Sequence, residues 1–116
     1  MKTHQGSCHC GAVTYDVTAD ITSALRCNCS HCQRKGLLLT FTPESSFTLK
    51  SGEGDLIKYN FNKHLIDHVF CKTCGVQSFA HGQDGEGNKM VAINVNCLEN
   101  FDIDSIEIQK YDGRSS

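Results

Sequence analysis

Seven of the eight cysteines fall into three tight groups: Cys8-His9-Cys10, Cys27-Asn28-Cys29-Ser30-His31-Cys32 and Cys71-Lys72-Thr73-Cys74. Cysteines one or two residues apart are spaced as metal ligands, and zinc is the ion that tetrahedral thiolate sets hold. The seven divide as four plus three. Cys8, Cys10, Cys71 and Cys74 can close a tetrahedron, as structural zinc sites do. Cys27, Cys29 and Cys32 leave one coordination position open, and an open position is where chemistry takes place.

The four-cysteine set reads as a staple. Side chains repeat every two residues on an extended segment, so Cys8-x-Cys10 directs both sulfurs to one face. Cys71-x-x-Cys74 is followed by Gly75, which can take a positive φ and turn backbone N–H groups toward the sulfurs. Lys72, inside this turn, could offset part of the negative charge of four thiolates. The two pairs lie about sixty residues apart, and closing a loop of that length gains most from a cross-link.

The three-cysteine set reads as a reactive centre. Its fourth position falls to His31, His9, Cys97, water or a substrate atom. Zinc in such a site stabilises a bound thiolate at neutral pH, so an incoming thiol gives up its proton on binding. It also polarises a small carbonyl. Three thiolates make a less electrophilic ion than three imidazoles, which favours thiol chemistry over water activation. Arg34 and Lys35 follow directly and could steer an anionic ligand such as a carboxylate.

The elements that must hold these residues are mainly strands. Val13, Tyr15 and Val17 alternate with polar residues, as do Ile57, Tyr59 and Phe61, then Val91, Ile93 and Val95, then Ile106 and Ile108. Each reads as a strand with one wet face. Residues 37–41, 46–49 and 65–70 are further strand candidates. Turns fall at 51–55, 62–64 and 82–88. One short helical turn is expected over 30–35. The pattern predicts an all-β domain of seven to nine short strands.

A length of 116 residues fits a single domain, 1–116, with residues 110–116 expected to fray. Cysteine makes up about 7% of the chain, just under the ~8–10% of a disulfide scaffold. The opening residues Met1 to Gly6 show no apolar stretch of a secretory leader, and no apolar run approaches a membrane span. A cytoplasmic address is the expectation, and in that reducing compartment clustered cysteines bind metal. Net charge is −2 with no basic block, which argues against nucleic acid as a partner.

Three stretches together resemble one family. Gly6-Ser7-Cys8-His9-Cys10-Gly11-Ala12-Val13 is similar to its opening motif, Cys27 to Lys35 to its central Cys-x-Cys-x-x-Cys segment, and Phe70-Cys71-Lys72-Thr73-Cys74-Gly75 to its closing knuckle. This is the glutathione-dependent formaldehyde-activating enzyme family, which also includes the centromere protein V type domain. The resemblance implies an Mss4-like, mainly β fold of small antiparallel sheets. It also implies two zinc ions, a structural one at Cys8, Cys10, Cys71 and Cys74 and a catalytic one at Cys27, Cys29 and Cys32. The implied activity, classed with the carbon–sulfur lyases, condenses glutathione with formaldehyde. Its partners would be a small thiol and a small aldehyde.

Other readings of the same residues carry different expectations. A non-catalytic zinc module for protein or nucleic-acid binding requires a complete four-ligand shell at the second site. Disulfides require an oxidising compartment. A thioredoxin-like Cys71-x-x-Cys74 requires a helix after the motif.

Overall fold

The computed structural model describes residues 2–60 and 66–115. Ten strands and one helix follow in chain order: β1 Lys2–Ser7, β2 Thr14–Ala19, β3 Ser23–Cys27, α1 Ser30–Lys35, β4 Leu39–Pro43, β5 Phe47–Ser51, β6 Leu56–Tyr59, β7 Asp67–Cys71, β8 Phe79–Gln83, β9 Lys89–Asn94 and β10 Glu107–Tyr111. The mainly β reading holds, and α1 covers the expected residues. The expectations for Phe61, the turn at 62–64 and Leu65 lie outside the described residues.

Strands β1, β2 and β5 form a small antiparallel sheet, and the other seven form a larger one in the order β10-β3-β4-β9-β8-β7-β6. Every pairing is antiparallel except β10 with β3. Between the sheets, Tyr15 and Val17 of β2 and Val13 pack with Phe79, Val91, Ile93 and Val95, all essentially without solvent contact. Aromatic contacts tie this core together, with the Phe47 and Phe79 ring centroids 4.7 Å apart. The Tyr15 hydroxyl donates to the Ser78 carbonyl at 3.3 Å, so the buried phenol is satisfied.

Two strands depart from the expected one wet face. In β9, Ala92 and Asn94 are buried along with Val91 and Ile93. β9 lies between β4 and β8, and its second face carries another apolar cluster of Cys32, Leu37, Leu39, Ala80 and Ala92. In β6 the expected inward face, Ile57 and Tyr59, is exposed, because β6 is the sheet edge and Leu56 is the residue packed on the core.

The count of ten strands exceeds the expected seven to nine. β1 and β3 lack apolar alternation and are held by pairing: β1 along its whole length by β2, and β3 by β10 and β4. The expected fray at 110–116 is corrected for residues 110–112 and 114. Lys110 and Tyr111 pair with Arg26 and Cys27, and the Asn28 side chain donates to Asp112 at 2.9 Å and accepts from the Arg114 amide at 2.9 Å. No helix among the described residues is long and apolar enough to cross a membrane.

Candidate metal centres

All seven clustered cysteines converge as two groups. In each group the ligand atoms lie within 4.8 Å of one another. In the first, the Cys8 and Cys10 sulfurs are 3.6 Å apart and so are those of Cys10 and Cys71. A tetrahedral ion with Zn–S bonds of about 2.3 Å spaces its sulfurs about 3.8 Å apart. A disulfide needs about 2.05 Å, and all eight cysteines are free thiols. The spacing therefore fits a shared cation, and the disulfide reading is not realised.

Two matching turns build this group. The Cys8 amide donates to Val13 O at 3.0 Å, and the Val13 amide donates to the Cys8 sulfur at 3.4 Å. In the second turn the Cys71 amide donates to Val76 O at 3.1 Å and the Gly75 amide to Cys71 O at 2.8 Å. Gly11 and Gly75, with φ of 84° and 78°, reverse the chain after each cysteine pair in a conformation that a side chain would strain. After Gly75 the chain runs as coil into β8, so the helix that a thioredoxin-like motif needs is absent at this position.

The protonation pattern favours a cation. Backbone amides of Val76 and Cys10 lower the Cys74 thiol to about 6. Cys10 moves the other way, to about 12: the Ala12 amide opposes the shift, but desolvation and the neighbouring Cys71, Cys8 and Cys74 thiols prevail. Four sulfurs this close do not all ionise without a positive charge among them. Lys72 is not that charge, since its ammonium pairs with Asp55 at 3.6 Å.

The second group sits where β3 hands over to α1. Cys27 ends the strand, Cys29 caps the helix, and Cys32 lies buried in its first turn. The Cys29 amide donates to the Cys27 sulfur at 3.4 Å and the Cys32 amide to the Cys29 sulfur at 3.3 Å. Burial opposes ionisation of Cys29, yet the Cys32 amide, the flanking thiols and the His31 amide hold its pKa below the ordinary thiol range. Burial pushes Cys32 up. Three convergent sulfurs with amide donors are the ligand chemistry of zinc and similar soft cations.

None of the expected fourth ligands joins this group among the described residues. His31 instead stacks on Tyr59, with centroids 5.6 Å apart, and packs against His68 at 4.1 Å. His9 lies exposed between the first site's cysteines. The Cys97 thiol donates to Gln77 O at 3.8 Å.

Three cavities surround α1. One of about 400 Å³ meets Cys27 and Cys32 together with Arg26, Lys110 and Asp112. Arg26 and Lys110 are register partners in the parallel β3–β10 pair, which sets two cations side by side. A second cavity, about 450 Å³, reaches the same two sulfurs over the second face of the large sheet. A third, about 680 Å³, lies on the other side of the helix with Arg34 and Lys35 in its wall and contains none of the three cysteines. Arg34 and Lys35, expected to steer an anionic ligand, thus line a different cavity from Cys27 and Cys32, whose cavity carries Arg26 and Lys110 instead.

A polar chain with no signature in the sequence runs from exposed Lys35 to buried Gln77 and His68. The Lys35 ammonium donates to Gln77 Oε1 at 3.0 Å, and Gln77 Nε2 lies 3.2 Å from His68 Nδ1. Lysine only donates, so the Gln77 amide nitrogen must face the imidazole. Nδ1 then accepts, and the neutral ring carries its proton on Nε2. Burial, His31 and Lys35 lower the His68 pKa to about 4, with Asp67 opposing.

A sequence model of the family described as glutathione-dependent formaldehyde-activating enzyme matches residues 3–111. Among solved structures, the chain is similar to a Rhodobacter sphaeroides protein seen in a crystal. The two are 31% identical, the alignment covers 92% of this chain and 99% of that one, and the TM-score is 0.81.

Proposed function

The chain belongs to the glutathione-dependent formaldehyde-activating enzyme family, and from that premise we propose that it is a zinc-dependent enzyme of the carbon–sulfur lyase type. It binds a low-molecular-weight, glutathione-like thiol at Cys27, Cys29 and Cys32 and condenses it with a small aldehyde such as formaldehyde. Cys8, Cys10, Cys71 and Cys74 hold a second zinc with a purely structural role. A reducing, cytoplasmic compartment suits free thiols in this number.

One observation carries the reading: three sulfurs converge with no fourth protein donor in their group among the described residues, and two cavities open on two of these residues, Cys27 and Cys32. Zinc bound there would supply a Lewis-acid position that favours thiolate over thiol. The chain's own residues do the rest. Arg26 and Lys110 attract the carboxylates of an anionic thiol. The Cys29 and Cys32 amides hold their acceptor sulfurs in place. The thiol loses its proton, its sulfur bonds to the carbonyl carbon, and the carbonyl oxygen takes up a proton to become the hydroxyl of a hemithioacetal.

Zinc-edge absorption spectroscopy of the zinc-loaded protein, titrated with glutathione, tests this directly. Entry of a further sulfur into the shell is expected. A shell left unchanged at saturating thiol removes the proposal and favours a module with two closed sites.

A further inference from the structure

We propose that the 450 Å³ groove on the sheet side of the three sulfurs holds the hydrocarbon chain or ring of the aldehyde. Among the aldehydes it accepts, one with an apolar tail is then preferred over formaldehyde. This assignment rests on the thiol–aldehyde reading above and names its second substrate.

The groove exists because the sheet face beneath it is built from small side chains. Ala80 of β8 and Ala92 of β9 are register partners, and Phe41 of β4 is the other partner of Ala92. Two alanines at the centre of a sheet leave space that larger residues would fill. Leu25, Leu39, Phe41, Ile66, Met90 and Tyr111 give most of the wall its apolar and aromatic surface, and His68, His81, Gln83 and Asp84 are its polar members. Phe41, Ile66 and Tyr111 are about half exposed, an amount of aromatic and aliphatic surface that favours cover by an apolar ligand.

Size and polarity then separate the two substrates. Formaldehyde has two heavy atoms, whereas a groove of 450 Å³ lies in the range of sites that take small organic ligands, about 300–1,000 Å³. Both cavities share Cys27, Cys32 and Tyr111, but only the other one carries Arg26 and Lys110. A thiol bearing carboxylates belongs on the cationic side, which leaves the apolar side to the carbonyl compound. His68 lines the groove and packs against His31 of α1. Its Nδ1 is held by Gln77 at 3.2 Å, which fixes the ring in the groove wall. The step is balanced as before: the S–H bond is lost, an S–C bond forms, and C=O becomes C–O–H.

The test uses the zinc-loaded full chain, glutathione as the thiol, and the series formaldehyde, ethanal, butanal and hexanal. The ratio kcat/KM is expected to rise about fourfold for each methylene that enters the groove, and Phe41→Ser to flatten that rise. A flat or falling series with formaldehyde still consumed overturns the groove assignment and leaves the thiol–aldehyde reading standing. No turnover of any aldehyde overturns that reading instead. The groove is read separately by methyl NMR of Leu39 and Met90 with hexanamide, an unreactive chain. Saturable shifts support an apolar-tail site, and unmoved methyls overturn it whatever the kinetics show.

Discussion

Tyr111 lies directly opposite Cys27 in the parallel pairing of β10 with β3. The last strand is thereby part of the three-sulfur site, since Tyr111 borders both cavities that meet Cys27 and Cys32. Asn28, the residue between Cys27 and Cys29, fastens the segment after β10 through Asp112 and Arg114.

Gly113 is the sharpest point of this contact, because a Cβ at that position would overlap the Cys27 sulfur. Gly113→Val should displace the sulfur and empty the second site alone. Zinc content by elemental analysis is expected to fall from about two ions per chain to about one, with the far-ultraviolet dichroism preserved. Retention of both ions would mean that the segment swings clear of the site at little cost.

The two metal centres should differ in what they support. Structural zinc in small domains contributes about 10–16 kcal/mol of apparent binding energy, comparable to or larger than the ~5–15 kcal/mol by which a domain is stable. Cys10→Ser and Cys71→Ser should therefore abolish soluble, folded protein. Cys29→Ser should leave a folded chain with less zinc and no thiol binding. Thermal unfolding followed alongside metal content separates these outcomes, and equal damage from both classes of variant would contradict the division of labour.

His68 should make stability depend on pH. An unfolded histidine takes its proton near 6.5, whereas burial, His31 and Lys35 hold the folded one down to about 4, against Asp67. Between those values the unfolded chain binds a proton that the folded chain does not. The contribution of His68 is thus intact above about pH 6.5 and shrinks as pH falls toward 4. About 2 kcal/mol should be gone by pH 5. Urea unfolding of the wild type and His68→Gln at pH 7 and pH 5 reads the difference, and the variant should show the smaller loss. Parallel losses in both proteins would remove His68 as the cause.

Arg26 and Lys110 should set affinity for the anionic thiol. Each is exposed, and a single charge pair at an exposed position contributes up to about 1 kcal/mol. Arg26→Glu with Lys110→Glu should weaken glutathione binding about tenfold or more at low salt, and less as salt rises. A neutral thiol such as 2-mercaptoethanol should bind the variant and the wild type alike. Calorimetric titration with both thiols distinguishes charge steering from general damage.

The two cysteine clusters were legible in the sequence because ligand spacing is local. Cys-x-Cys and Cys-x-x-Cys-Gly specify their turns within five residues, and the short helical turn expected over 30–35 is α1, which the structure caps with Cys29 and Gly36. Strand β2 announced itself through Val13, Tyr15 and Val17, which face the core. The cationic pair and the groove were not legible. Arg26 meets Lys110 only through a parallel pairing, and the Asn28–Asp112 contact that supports it spans 84 residues. Nor could His68 be singled out, since its role depends on Gln77 and Lys35, and Lys35 reaches Gln77 across 42 residues of chain. Alternation also failed at β6 and β9, because edge or central placement in the sheet decides which faces are wet.

Unequal metal centres, one closed by protein sulfur and one with a position for an incoming thiol, are what the proposed chemistry requires. Extended zinc-edge absorption of the fully zinc-loaded protein, with and without glutathione, reads this inequality from the ligand shells themselves. A mean sulfur coordination below four is expected, rising to four on adding the thiol. In a Cys29→Ser sample it should stay at four only for the zinc that remains. Full sulfur or sulfur-plus-imidazole shells at both ions, indifferent to glutathione, would contradict it.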